Sequence, residues 1–80
     1  MIDALDAPPK LIEELQEVRG VLNGLDRASK TLLKVQLNKR LYLVPDYLGA
    51  KLETLRGQRT AITRILGKHY VRKMKGENGL

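Results

Sequence analysis

The sequence predicts an all-α fold, a small three-helix domain with a long basic C-terminal helix. Apolar residues recur at alternating spacings of four and three over two long stretches, which is typical of one face of a helix. In addition, residues that favour helix starts, namely Pro8-Pro9, Asp26 and Asp46, stand just before each of the three segments. The predicted helices cover residues 9–23, 27–42 and 46–74.

The first helix, residues 9–23, rests on an apolar stripe and on acidic residues near its start. Glu13 and Glu14 lie off the stripe, where carboxylates interact favourably with the helix dipole. Asn23-Gly24 is a typical helix end. The stripe consists of Leu11, Leu15, Val18, Leu22 and Leu25.

The second segment, residues 27–42, permits two interpretations. As a helix capped by Asp26, it places Leu33, Leu37 and Leu41 on one face. As two strands, its apolar residues alternate with polar ones on both sides of a turn at Asn38-Lys39-Arg40. We favour the helix, because the segment contains neither glycine nor proline, and keep a strand over 40–44 as the alternative.

The third helix, residues 46–74, begins after Val44-Pro45, since proline disfavours helical backbone in the residue before it. Its four-three rhythm includes Leu52, Ile62 and Leu66. Gly57 is the expected position of a kink, because glycine weakens a helix interior.

An alternative fold comes from Val44-Pro45-Asp46-Tyr47-Leu48 followed by Gly57-Gln58-Arg59-Thr60-Ala61-Ile62. This pattern, within residues 39–70, resembles the ribbon-helix-helix DNA-binding fold, in which a short strand runs into a proline and two helices follow. The resemblance implies a strand at Arg40–Val44, preceded by an N-terminal helix. Lys39, Leu41 and Leu43 would then face the DNA groove.

Composition limits the chain to one small domain, residues 1–80, with predicted disorder at 1–8 and 76–80. There is no cysteine and only one histidine, His69, so thiolate zinc sites and histidine clusters are excluded. We therefore predict no enzymatic activity, no metal and no cofactor. No apolar run approaches bilayer length, and we expect a cytoplasmic protein without a membrane partner.

Charge is distributed unevenly and indicates an anionic partner. Residues 1–26 contain six acidic and two basic residues, whereas residues 27–75 contain thirteen basic and two acidic residues. We predict a regulatory or packaging protein that binds nucleic acid, DNA in preference to RNA, through phosphate contacts. The alternatives are an adaptor or inhibitor with an acidic protein partner and, more weakly, a basic helix on anionic membrane.

The predicted contacts come mainly from a cationic row on the third helix, spaced by about one turn, with support from the second helix. Tyr70 and His69 are candidates for additional contacts, although His69 is expected to be a helix-face residue and not a catalyst. The predicted nucleic-acid-binding residues are Arg56, Arg59, Arg64, Lys68, Arg72, Lys73, Lys75, Arg27, Lys30 and Lys34.

A homodimer is predicted as well. Eighty residues without a disulfide or metal bury a marginal core, and a second copy could cover the two apolar stripes.

Overall fold

The computed structural model describes residues 8–74, most of which form β-strands, with a single short α-helix among them. The strands belong to one curled sheet, and the helix follows a 3-10 turn at Asp46–Leu48. The elements are β1 (Lys10–Leu11), β2 (Glu17–Arg27), β3 (Leu32–Leu37), β4 (Arg40–Pro45), α1 (Gly49–Glu53), β5 (Arg59–Ile65) and β6 (Lys68–Lys73).

The sheet order is β1-β4-β3-β2-β5-β6, with β1 parallel to β4 and every other pair antiparallel. The long central strand β2 pairs with β5 through its first half and with β3 through its second half. A bulge between Leu22 and Gly24 separates the two halves and bends the strand. Within the described residues, β1 and β6 are the two edges of the sheet.

One hydrophobic core lies on the inner face of the curled sheet. β3 alternates strictly, with Leu33, Val35 and Leu37 buried, and β5 contributes Ile62. The segment after β4 packs on the same core through Leu48, Leu52 and Leu55. The remaining buried members of the cluster are Ile12, Val18, Leu22, Val44 and Val71.

The all-α prediction is wrong, and so is the description of the chain as helical. Residues 9–23 form β1, a turn and the start of β2, and residues 27–42 mostly form the β3–β4 hairpin. Of residues 46–74, only Asp46–Glu53 is helical, because β5 and β6 occupy 59–73. Gly57, the expected kink, lies in the turn between α1 and β5.

The bulge in β2 explains why the leucine pattern resembled a helix. Residues four apart lie on the same face of a strand as well as of a helix, so Val18 and Leu22 fit both periods. The extra residue at Asn23 then moves Leu25 to the inner face, opposite Val35, although it follows Leu22 by three. A strand with one bulge therefore reproduces the four-three rhythm.

The ribbon-helix-helix alternative is wrong too, although its strand exists. β4 covers Arg40–Pro45, and it pairs with β3 as the two-strand interpretation of residues 27–44 required. No second helix follows within the described residues, because Arg59–Ile65 is a strand. The disorder predicted at 1–8 and 76–80 lies outside the described residues, apart from the exposed Pro8.

Candidate nucleic-acid interface

The alternation of β5 and β6 places three predicted cations on the outer face of the sheet, away from the core. The buried partners Ile62 and Val71 are opposite one another and fix which residues point inward. Odd-numbered residues of β5 and even-numbered residues of β6 then point outward. This outer group includes Arg59, Lys68 and Arg72.

Arg19 on β2 joins this group, although it is not among the residues predicted from the sequence. It is opposite Ala61, which is in turn opposite Arg72, so the three residues form a row across three strands. Two strand spacings separate Arg19 from Arg72 by about 10 Å. Both side chains are more than half exposed. We call Arg19, Arg59, Lys68 and Arg72, together with Tyr70, the outer cationic face.

One carboxylate, Glu17, organises this face. Its Oε2 lies 2.5 Å from Arg19 Nε and 3.5 Å from Arg72 Nη2. Its Oε1 accepts a hydrogen bond of 3.0 Å from Thr63 Oγ1. The hydrogen bond from Arg19, followed by that from Thr63, lowers the pKa of Glu17 below its usual value of 4.5. Glu17 therefore stays ionised and holds the two arginines near each other.

Tyr70 places an aromatic ring between two of the cations. It lies on β6 midway between Lys68 and Arg72, which are about 13 Å apart along the strand. Its residue surface is 52% exposed, and it is opposite the outward-facing Thr63. The side chains along β6 therefore alternate on this face as cation, aromatic ring and cation.

Two of the predicted residues of this hairpin point the other way. Arg64 and Lys73 lie opposite His69 and Thr60, on the inward side of the sheet. Arg64 is held there by Nη1 donating to the Ile12 carbonyl at 3.0 Å and by an ion pair of 3.6 Å with Glu14.

The remaining predicted cations are scattered. Arg56 donates to Glu53 at 2.7 Å and to the Leu25 carbonyl at 3.3 Å. Arg27 Nη1 lies 3.6 Å from Asp46 Oδ2. Lys30 is in the loop between β2 and β3. Lys34 is on the outer side of β3, opposite Asp26 and beyond the bulge. Lys75 lies outside the described residues.

His69 packs at the inner rim of β6. Its Nδ1 is buried without a hydrogen-bond partner, and its backbone N–H donates to the hydroxyl of Tyr47 at 3.1 Å. Burial, and secondarily the charge of Arg64, lowers its pKa below the usual 6.5, while Glu14 opposes that shift. The imidazole faces away from the outer cationic face.

A strand interpretation of residues 59–73 would have identified most of this face. Alternation alone separates Arg59, Lys68 and Arg72 from Arg64, once the turn at Leu66-Gly67 is recognised. Arg19 could not have been found in this way, because its place in the row depends on long-range pairing with β5.

Metal-ligand clusters and membrane-spanning helices are both absent from the residues that the structure describes. Residues 8–74 contain no cluster of three or more histidine, cysteine, aspartate or glutamate side chains arranged to hold a metal ion. None of the described helices is long and apolar enough to cross a membrane. Comparisons with protein-family models, curated proteins and solved structures find no match to this chain.

Proposed function

We propose that the protein binds single-stranded nucleic acid on its outer cationic face. The observation that supports this most directly is the row of Lys68, Tyr70 and Arg72, joined across the sheet by Arg19. Cations along a groove or face attract the phosphate backbone, and an exposed ring between them offers a stacking surface for a base. Proteins that bind single strands without sequence preference combine these two kinds of contact.

The exposed tyrosine favours single strands over a duplex. In a duplex the flat faces of the bases are covered by their neighbours, so a ring projecting from a sheet can stack only on a base that has left the helix. The helical row that would have entered a duplex groove does not exist in this fold. Binding to a continuous duplex should therefore be weaker and limited to phosphate contacts.

The first experiment measures affinity by fluorescence anisotropy with labelled single-stranded DNA and RNA of about 20 nucleotides, over a range of salt concentrations. The variant Lys68→Gln with Arg72→Gln removes two phosphate contacts. The slope of log K against log salt should therefore fall by about 1.4, since each contact to a single strand contributes about 0.7. Lys30→Gln with Lys51→Gln is the matched control: it removes the same charge from exposed residues elsewhere and should leave the slope unchanged.

Tyr70→Leu separates stacking from charge. Loss of one base–aromatic contact should weaken affinity by about 1–3 kcal/mol while leaving the salt slope unaltered. Tyr70→Phe, which keeps the aromatic ring and removes only the hydroxyl, is the control and should bind as the parent protein does.

Two results would contradict the proposal. If neither DNA nor RNA binds even at low salt, nucleic-acid binding is wrong, and an acidic protein partner becomes the better hypothesis for this face. If the Lys30, Lys51 control loses as much slope as the Lys68, Arg72 variant, then attraction by net charge alone explains the binding.

The homodimer stays a prediction, but the apolar stripes from which it was predicted no longer support it. Val18, Leu22, Leu52 and Ile62 pack in the core of one chain instead of forming helix faces for a second copy. Sedimentation velocity with and without the oligonucleotide tests whether two copies assemble.

A further inference from the structure

Two leucines project from turns in a backbone conformation that leucine disfavours. Leu66 is 88% exposed and Leu15 is 76% exposed, the two highest values among the large apolar residues of the described chain. Their φ angles are +51° and +64°, in the left-handed region. The one other non-glycine residue of residues 8–74 with a positive φ is Asn38, a type that tolerates it.

The fold itself does not require leucine at these positions. Leu66-Gly67 is a two-residue hairpin turn with positive φ at both positions, for which Asn-Gly is the preferred sequence. A leucine there costs backbone strain and also exposes an apolar side chain. Strain kept at an exposed position is a reason to look for a ligand.

The two turns are fastened together. The Glu14 carboxylate accepts hydrogen bonds from the backbone N–H groups of Leu66 and Gly67, the latter at 2.9 Å. The N–H of Leu15 donates to the Arg64 carbonyl at 2.7 Å, and the N–H of Arg64 donates to the Gln16 carbonyl at 3.2 Å. Leu15 and Leu66 therefore belong to one fixed end of the sheet, which we call the leucine end.

The leucine end continues the outer cationic face. Along β6 the outward residues run Arg72, Tyr70 and Lys68, and the next position beyond them is the turn at Leu66-Gly67. A strand that follows these cations arrives at Leu66. One bound strand can therefore contact both the outer cationic face and the leucine end.

The charge around the leucine end determines which part of a bound strand can contact the two leucines. Glu13 and Glu14 are adjacent to Leu15 in the chain, and Arg64 pairs only with Glu14, so the remaining negative charge disfavours a phosphate or an anionic lipid headgroup beside Leu15. An uncharged, flat, apolar surface suits two leucines, and in a nucleic acid that surface is the face of a base. Leucine is one of the residues that proteins insert between bases to separate them.

We propose that Leu66, together with Leu15 on the turn fastened to it, forms an apolar wedge that packs against an unstacked base of the strand held by the outer cationic face. This rests on the proposed function and makes it more specific. The preferred ligand is a single strand, or a junction at which a base is already unpaired, because unstacking a base within a duplex costs free energy. The wedge contributes base contacts and no phosphate contacts.

The test uses Leu66→Asn and Leu15→Asn, alone and combined, in the full chain. Asparagine suits the left-handed backbone, so the melting temperature of each variant should stay the same or rise. Affinity for a single strand should nevertheless fall several-fold, with the salt slope unchanged. A loss of binding that accompanies unchanged or increased stability cannot come from misfolding.

A matched control and a direct probe complete the design. Leu11→Asn changes another exposed leucine, on the opposite edge strand β1, and should leave affinity unchanged. A strand carrying 2-aminopurine should brighten when the parent protein unstacks the probe base. The double leucine variant should produce a smaller increase in fluorescence.

The outcomes distinguish this inference from the function on which it rests. If the leucine variants bind like the parent while Lys68→Gln with Arg72→Gln binds weakly, the wedge is wrong and nucleic-acid binding stands. If the parent binds no oligonucleotide, the proposed function fails and the wedge with it. If the leucine variants instead lose binding to phosphatidylserine vesicles, or lose a dimer seen in sedimentation velocity, the leucine end serves a different occupant and the wedge is wrong.

Discussion

The β3–β4 and β5–β6 hairpins of this sheet both use a left-handed turn residue, but in different surroundings. Each has a residue with positive φ in its two-residue turn, Asn38 between β3 and β4 and Leu66 between β5 and β6. Asn38 is tied to β2: its Oδ1 accepts from the Val21 N–H at 2.9 Å, and its own N–H donates to the Val21 carbonyl at 3.0 Å. The side chain of Leu66 is almost fully exposed.

The neighbourhood of Asn38 is adapted to it. A Cβ on Gly20 would lie 2.9 Å from the Asn38 side chain and 3.0 Å from backbone carbon of Leu37, so glycine is needed for this close approach. The β3–β4 turn is therefore built into the fold, whereas the β5–β6 turn presents its residue to solvent. The comparison teaches that an unfavourable backbone angle indicates function only where no contact of the residue's own side chain accounts for it.

The largest expected effects concern the inner faces, where the hairpins should behave alike. Leu37 on β3 and Ile62 on β5 are both fully buried in the same core. Leu37→Ala and Ile62→Ala should each lower the free energy of unfolding by about 2–5 kcal/mol, measured by urea denaturation. Leu11→Ala, at an exposed position, should change it by no more than about 0.5 kcal/mol. If Ile62→Ala leaves the free energy of unfolding unchanged, then β5 and β6 are not part of the common core.

Smaller effects should separate the two turns. Asn38→Ala removes the side-chain hydrogen bond to the Val21 N–H, keeps the backbone bond to the Val21 carbonyl, and places a less tolerant residue at positive φ. It should cost about 1–3 kcal/mol in the same urea measurement. Lys39→Ala, at the next and exposed turn position, should cost no more than about 0.5 kcal/mol. Equal effects of the two substitutions would mean that the Asn38 contacts do not stabilise the fold.

These hairpins also differ in how well the sequence predicted them. The alternation of Leu33, Val35 and Leu37 with polar residues is local, and it supplied the two-strand interpretation that the structure bears out. In β5 the sequence 59–65 gives little alternation, because Ala61 is buried on the outer face between Arg19 and Arg72. The cover from Arg19 depends on the pairing of β5 with β2, which is far away in sequence. Local patterns could not reveal it.

The candidate site was predicted in part for the same reason. The predicted cationic row includes Arg64, Lys68 and Arg72, whose spacing of four keeps residues on one side of a helix. The turn at Leu66-Gly67 folds the chain back, so that Arg64 points inward while Lys68 and Arg72 point outward. Sequence reasoning therefore found cations of the correct region but grouped residues from both faces. Charge asymmetry was visible in the sequence, whereas its division between faces required the fold.

The final prediction concerns a difference in pH response between the hairpins. The core residues of β3 and β4 are apolar, whereas the inner side of β6 includes His69 opposite Arg64. Burial, and then the charge of Arg64, holds the pKa of His69 below 6.5 in the folded protein. The folded state therefore binds fewer protons than the unfolded state as pH falls below that value. Its free energy of unfolding should decrease from pH 6.5 downward, with no contribution from His69 above it.

Urea denaturation between pH 5 and 8 (roughly the range in which an ordinary histidine titrates) measures this dependence. His69→Gln should flatten the profile, since glutamine does not titrate. Arg64→Gln should move the imidazole pKa, followed by NMR, back toward 6.5 and reduce the slope, because a positive charge beside the ring is removed. Glu17 and Glu53 do not contribute to the slope between pH 5 and 8, because their pKa values lie below 4.5. Their stabilising contributions are lost only in more acidic solution. A profile that keeps its slope in His69→Gln would place the titrating group elsewhere in the chain.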